Sequence, residues 1–240
     1  GASLVVRFTE PGRSAFTNLR ARILEALDPA TFQVGFEGSK DIWETSLDER
    51  LEWSGPDPAR VSAPRDNPAA RSTIKSIARA GQYFRMRHFN YDMGGVHVYD
   101  STQLLFSNTA VYSCPGMAFI VKGDSHHVEL NRVRILPPPG EKRAISCTAD
   151  HFHVNNSQGY LKFEGCEFGR GGDDCINIHD NNFYAVKTGP ASLEGRFCRM
   201  WATPLHEGDL LELRNEDFSP TGYAARIKAA ARIPVMITGG

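Results

Sequence analysis

Residues 148–179 read TADHFHVNNSQGYLKFEGCEFGRGGDDCINIH. Two short segments in this stretch look alike. Asp150 leads into His151-Phe152-His153-Val154, and the pair Asp173-Asp174 leads into Cys175-Ile176-Asn177-Ile178-His179. In each, apolar side chains alternate, Phe152 with Val154 and Ile176 with Ile178, which is the period of a strand. Asp173 follows Asp150 by 23 residues, about one coil of a β-solenoid. Strands stacked as neighbours lie ~4.8 Å apart, so this spacing gathers three carboxylates at the heads of two strands. Such crowding is costly unless chemistry or a cation uses it.

The same unit recurs upstream. VHVYD then QLLFSNTAVY occupies 96–112, MAFIVKGD then HHVELNRVRI 117–135, DHFHVNN then GYLKFEGCEF 150–168, and DCINIHDNNFYAVKT 174–188. Each unit has a short strand, a polar corner and a second strand. The first strands begin near Val96, Phe119, Phe152 and Ile176, at intervals of 23, 33 and 24 residues. The long interval holds Leu136-Pro137-Pro138-Pro139-Gly140, a loop that bulges from one corner. Coils of this length are what a parallel β-helix needs, because one coil cannot bury its apolar face alone. Asn108 and Asn131 near the corners suit the left-handed backbone or side-chain ladders of turn asparagines. The alternative is an antiparallel sandwich of many short strands.

The flanks are less regular. LVVRF (4–8) reads as a strand closed by Pro11-Gly12. Phe16, Leu19, Ile23, Leu24 and Leu27 stand at helical spacing over 16–28, although a strand also suits this part of a β-helix chain. Gly55-Pro56-Asp57-Pro58 is a turn, and 59–82, rich in Arg, Ala and Ser, is expected to be a loop plus a short helix. The organisation expected is an N-terminal part of the β-helix with irregular segments over 1–90 and coils carrying the acidic site over 91–188. A small β insertion follows over 189–225, including an arginine-rich strand around Phe197–Trp201. A return to the β-helix follows over 226–240. No polar end cap is visible after it, as expected of a piece of a longer solenoid.

Composition excludes several classes. With 27 basic against 28 acidic residues the net charge is −1, so nothing favours nucleic acid or an anionic membrane surface as partner. No apolar run approaches the ~20 residues of a spanning helix. The chain begins Gly1-Ala2-Ser3, which reads as a processed N-terminus without targeting information. The five cysteines, Cys114, Cys147, Cys166, Cys175 and Cys198, have no CxxC spacing, which argues against zinc and redox motifs. Buried free thiols are the expectation, Cys175 included. The lone histidines His88, His97, His126, His127 and His206 read as surface or structural groups.

Three readings of the acidic patch follow from the residues. Glycoside hydrolysis needs one carboxylic acid and one carboxylate, and clustered aspartates supply both forms at one pH. Adjacent Asp173 and Asp174 point to opposite faces of a regular strand, and a kink at Gly171-Gly172 lets both reach one cleft. His153, His179, Asn177 and Lys122 are then candidates to hydrogen-bond sugar hydroxyls. Alternatively the three carboxylates bind Ca²⁺, or they cap turns.

TADHFHV followed by GYLKFEGCEFGRGGDDCINIH resembles the core motif of glycoside hydrolase family 110. Thr148, Ala149, Asp150, His153, Asp173, Asp174, Asn177 and His179 match that motif. PGMAFIVKGDSHHVELNRVRI upstream and GDLLEL downstream extend the resemblance over roughly residues 95–215. It implies a right-handed parallel β-helix and an exo-acting, inverting, metal-independent α-1,3-galactosidase with no cofactor. Its partner would be a carbohydrate with a terminal α-galactosyl group, and its location secreted or periplasmic. By the resemblance Asp150, Asp173 and Asp174 form the catalytic set, with Asp173 as general acid and Asp150 with Asp174 holding the attacking water. Cys175, Asp180, His151 and Phe152 depart from residues frequent in the family, which leaves the shape of the sugar pocket open. The insertion adds Glu207, Asp209 and Glu212, for which strand or turn roles are expected.

A second resemblance, to polygalacturonases, rests on a lone Asp and an Asp-Asp pair one coil apart and on Arg226-Ile227-Lys228. The Gly-His-Gly segment of those enzymes is absent. A glycan-binding β-helix without turnover is the reading from outside the enzymes.

Overall fold

A computed structural model describes residues 2–9, 20–43, 45, 47, 51–53, 59–196 and 205–231. The expected strand at Phe197–Trp201, Cys198, the turn at 55–58 and the end of the chain from 232 lie outside them. The chain divides into two compact units, Gly1–Ile178 and His179–Gly240.

The first unit is dominated by three parallel ladders. The first stacks Val96–Tyr99, Phe119–Lys122, Phe152–Asn155 and Ile176–His179 in that order. Its register aligns Val96 with Phe119 and Phe119 with Phe152, so the unequal intervals in sequence are equal steps in space. The second ladder stacks Thr102–Ser107, His126–Asn131 and Leu161–Glu164, and the third Ala110–Val111, Arg134–Ile135 and Glu167–Phe168. Both are parallel throughout, which rules out the antiparallel sandwich. The ten extra residues of the long interval form the loop at 136–145, with a turn from Glu141 N–H to Pro138 O at 3.1 Å.

The interior between the ladders is apolar because alternate residues of every strand face it. Phe119, Val121, Val128, Leu130, Ile135, Phe152 and Val154 are buried there. The Phe119 and Phe152 rings stack at 5.9 Å between centroids, and Phe106 and Phe163 meet them edge-on at 5.2 and 4.9 Å. The corners repeat as well. Asp100, Gly123 and Asn156, each just past a first-ladder strand, have φ of 45°, 69° and 54°. Asn108, Arg132 and Gly165 do the same beyond the second ladder, at 52°, 50° and 60°. The left-handed residue is therefore Asn108 in one coil but Arg132, not Asn131, in the next.

Residues before Val96 build antiparallel sheets with a core of their own. Ser3–Val6 and Leu51–Trp53 flank Ala59–Ser62, and Ile42–Trp43 and Phe84–Arg87 flank Ile23–Ala26. This part was expected to belong to the β-helix; its pairing is antiparallel instead. The apolar spacing around Ile23 belongs to a strand and not to a helix. All four residues of Ile23–Ala26 are buried, including Glu25, and a central strand buried on both faces loses its alternation. The helix of this region is Pro68–Ile77. Asn67 caps it by accepting from Ala70 N–H at 2.9 Å, and Pro68 opens it where no N–H is needed. Ala70 and Ile74, one turn apart, are its buried face.

In the second unit two antiparallel hairpins are described, Tyr184–Gly189 with Ser192–Arg196 and Leu210–Arg214 with Pro220–Arg226. Tyr184–Gly189, read above as the second strand of a fourth coil, thus pairs within a hairpin. Among the described residues no helix is long and apolar enough to cross a membrane.

Candidate active site

Asp150, Asp173 and Asp174 meet at the heads of the third and fourth strands of the first ladder. One carboxylate oxygen from each lies within 4.8 Å of the others. The backbone explains how. Thr148 and Ala149 N–H groups donate to Cys114 O and Gly116 O at 3.1 and 3.2 Å, which ties this segment to the preceding coil. His151 N–H donates to Asp174 O at 3.0 Å, which ties it to the next. Gly171 and Gly172 let the coils approach. A Cβ on Gly171 would stand 2.3 Å from the His151 ring, and one on Gly172 2.3 Å from Thr148 O. The kink expected at this pair is thus a requirement for close contact.

Each carboxylate accepts from a protein donor. Asp150, 2% exposed, has its Oδ2 2.6 Å from His153 Nδ1. Asn177 Nδ2 donates to Asp174 Oδ2 at 3.0 Å. The Tyr91 hydroxyl donates to Asp173 Oδ2. Burial first, and then this bond to Asp173, push the Tyr91 phenol well above its ordinary range. Asp173 and Asp174 are exposed, so the patch opens to solvent on their side. Three carboxylates this close would also accept a hard cation, but an acidic cluster alone does not define a metal centre.

The remaining site residues are placed differently. His179 begins the second unit, where its Nδ1 faces Asp180 O at 3.2 Å. Lys122 is paired in register with Asn155, five positions past Asp150. At ~3.3 Å per residue this sets it ~16 Å along the ladder, at the opposite end of the strand from the carboxylates. Cys175 is exposed, contrary to the expectation of burial; it precedes Ile176–His179, the last strand of this ladder among the described residues. Ile176 and Ile178 share that exposure, at 43% and 60%. His151 is a packing residue, 1% exposed with its ring stacked on Phe168 at 5.8 Å. Arg226 donates to Gly208 O at 2.7 Å within its own hairpin, and Asp209 caps the turn there by accepting from His206 N–H at 2.8 Å.

Residues that spacing did not single out come from the antiparallel layer. Glu25, 5% exposed, accepts two bonds from Arg85, at 2.6 and 2.8 Å. Arg87 Nε sits 3.1 Å from the same carboxylate without the alignment of a hydrogen bond. The two guanidinium groups then reach the coils. Arg85 Nη1 donates to Gly171 O at 2.9 Å, and Arg87 Nη1 to Thr148 O at 2.7 Å. Thr148 Oγ1 donates to Asn90 O at 2.8 Å. Burial lowers Arg87 from its ordinary range, and Glu25 opposes the shift. Nothing in the spacing of Glu25, Arg85, Arg87 or Tyr91 marks them in the sequence, since the first three are gathered by the sheet they share and Tyr91 by the segment that follows it.

No family model matches the chain. It is 30% identical over 120 residues to α-1,3-galactosidase B of Bacteroides thetaiotaomicron, across 50% of this chain and 18% of that protein. It is 26% identical over 120 residues to α-1,3-galactosidase A of Akkermansia muciniphila, across 50% and 20%. Against α-1,3-galactosidase A of Bacteroides fragilis it is 26% identical over 111 residues, across 46% and 18%. The matched part is about a fifth of the length of these relatives. About half of this chain is therefore similar, at 26–30% identity, to enzymes named α-1,3-galactosidase.

Proposed function

We propose that this chain carries the active site of an exo-acting, inverting glycoside hydrolase that removes terminal α-1,3-linked galactose from glycans. The ladders are read as coils of a right-handed parallel β-helix, and the protein as secreted or periplasmic. The observation that carries the reading is the meeting of Asp150, Asp173 and Asp174 within 4.8 Å at the heads of adjacent strands. The similarity to α-1,3-galactosidases supports the substrate class.

In this mechanism Asp173 is protonated and donates to the glycosidic oxygen as the C1–O bond breaks. Asp150 and Asp174 hold a water on the opposite face of the sugar, take its proton and direct its oxygen to C1. The α-linkage is lost and β-galactose forms. His153 and Asn177 each tie one oxygen of their aspartate, which orients the other oxygen for the water. Lys122, at the far end of its strand from the carboxylates, and His179, five positions past Asp174, are not assigned to the galactose. Inverting enzymes usually separate their carboxyl groups by ~6.5–9.5 Å and retaining ones by ~5–5.5 Å. The close cluster makes the first-formed anomer the sharpest test.

Proton NMR of the protein with a terminal Gal-α-1,3-Gal glycan, with polygalacturonate and with buffer alone reads that anomer. Early β-galactose from the glycan is the expected result, and loss of turnover in Asp173→Asn on a natural disaccharide should accompany it. Early α-galactose would replace inversion by retention. Release of galacturonate would transfer the site to a polygalacturonase-like hydrolase. Absence of turnover from folded protein would leave either a glycan-binding module or a piece of a longer enzyme, and a longer chain would be tested next.

A further inference from the structure

Tyr91 is 54% exposed, lies outside the stacked coils and yet donates its hydroxyl to Asp173. It arrives there on a segment fastened at several points. Arg85 and Arg87, both 4% exposed and joined to buried Glu25, hold Gly171 O and Thr148 O. Asn90 O accepts from Thr148 Oγ1, and Asn90 N–H donates to Asp92 Oδ2 at 2.7 Å. Asp92 in turn pairs with Arg22 at 2.8 Å. These contacts anchor the residues on both sides of Tyr91, so its hydroxyl is presented to Asp173 with little freedom.

We infer that Tyr91 is a positioning residue that selects which oxygen of Asp173 carries the proton delivered to the leaving group. The inference rests on the glycosidase reading above. A phenol hydroxyl donating to Oδ2 occupies that oxygen as acceptor, so the proton of the acid form sits on Oδ1. The proton then leaves from one fixed side of the carboxyl group, toward a glycosidic oxygen whose sugar stands against Asp150 and Asp174. Without the phenol, both oxygens can hold the proton and the carboxyl group can rotate. The charged and titratable groups facing Asp173 are Tyr91, Arg87, Asp150 and Asp174. Of these, Tyr91 is the neutral donor with a hydrogen bond to it. Orientation of a reacting group is worth orders of magnitude in rate, and it costs nothing in ground-state binding.

The test has two arms. In the first, Tyr91→Phe is compared with wild type on a galactoside with a good aryl leaving group and on the natural disaccharide. The disaccharide needs the acid more, because its leaving alkoxide is more basic. The expected result is a fall in kcat of about tenfold or more on the disaccharide. The fall should be smaller on the aryl galactoside, and KM should be unchanged on both. An equal loss on both, or a loss confined to KM, overturns the inference.

The second arm needs no turnover and tests the Tyr91–Asp173 contact on which the inference stands, so its failure is distinguishable from failure of the glycosidase reading. Protein labelled with ¹³C at tyrosine Cζ is titrated with acid, and the Tyr91 signal is identified by its loss in Tyr91→Phe. In wild type that signal should move as its carboxylate partner is protonated, and the step should vanish in Asp173→Asn. A Tyr91 signal with no step, or a step that survives in Asp173→Asn, overturns it.

Discussion

Cys114 and Cys147 stand side by side on adjacent turns of the chain, joined by a parallel bridge. Their thiols donate to Met117 O and Ala149 O, at 3.3 and 3.2 Å. Burial pushes both above the ordinary thiol range, Cys147 from 9.0 to about 12. In this range the folded state keeps a proton on Cys147 that the unfolded chain gives up. Its stability is therefore full below about pH 9 and falls as pH rises toward about 12. Chemical denaturation below and above that boundary should show an alkaline loss that is smaller in Cys147→Ala; an equal loss would remove Cys147 as its source. The same burial should shield Cys114 and Cys147 from a thiol reagent until the protein unfolds, whereas Cys175, being exposed, should be open to it from the start.

Single strands here are short, and their stability comes from repetition. Val96–Tyr99, Phe119–Lys122 and Phe152–Asn155 each contribute two side chains to the core, and a left-handed residue then turns the chain out of the sheet. The corner at Gly123 is the tightest of these. Its φ is 69°, and a Cβ there would stand 2.1 Å from Asp100 Oδ1. That oxygen is already held by Asp124 N–H at 2.9 Å. Gly123→Ala should therefore lose about 1–3 kcal/mol, read as a lower denaturation midpoint. A variant Gly123→Ala as stable as wild type would show that the corner relaxes, and the strain argument would fail. The start of each first-ladder strand was legible in the sequence because alternation and the 23- and 24-residue intervals are local properties of the chain. The helical spacing over 16–28 misled at Ile23–Ala26, because a strand buried on both faces has no alternation to display.

At the scale of the first unit, the antiparallel layer and the parallel ladders meet through Glu25, Arg85 and Arg87. A buried carboxylate between two buried guanidinium groups is costly to form and more costly to break on one side. Glu25→Gln leaves two cations, each 4% exposed, without their anion. It should destabilise the protein by about 3–5 kcal/mol, read as a drop in Tm. Because the same guanidinium groups hold Thr148 O and Gly171 O, the glycosidase reading proposed above expects weaker turnover in this variant as well. A melting temperature equal to wild type would show that the network carries no net stability.

The sequence by itself determined the stacking unit and the three aspartates, since both depend on spacing along the chain. In a parallel ladder held in register, residues one interval apart become neighbours. Tertiary structure alone decided which other groups reach those aspartates. Tyr91 and Arg87 lie more than 50 residues before Asp150, and no period connects them to it. Arg87 is brought there by antiparallel pairing of Phe84–Arg87 with Ile23–Ala26 over buried Glu25, and Tyr91 by the segment beyond it, tied through Asn90 and Asp92. The converse holds for Lys122, which shares a coil pattern with the site but sits at the far end of its strand. Extended backbone advances ~3.3 Å per residue, so five positions along a strand separate groups that a sequence motif shows together.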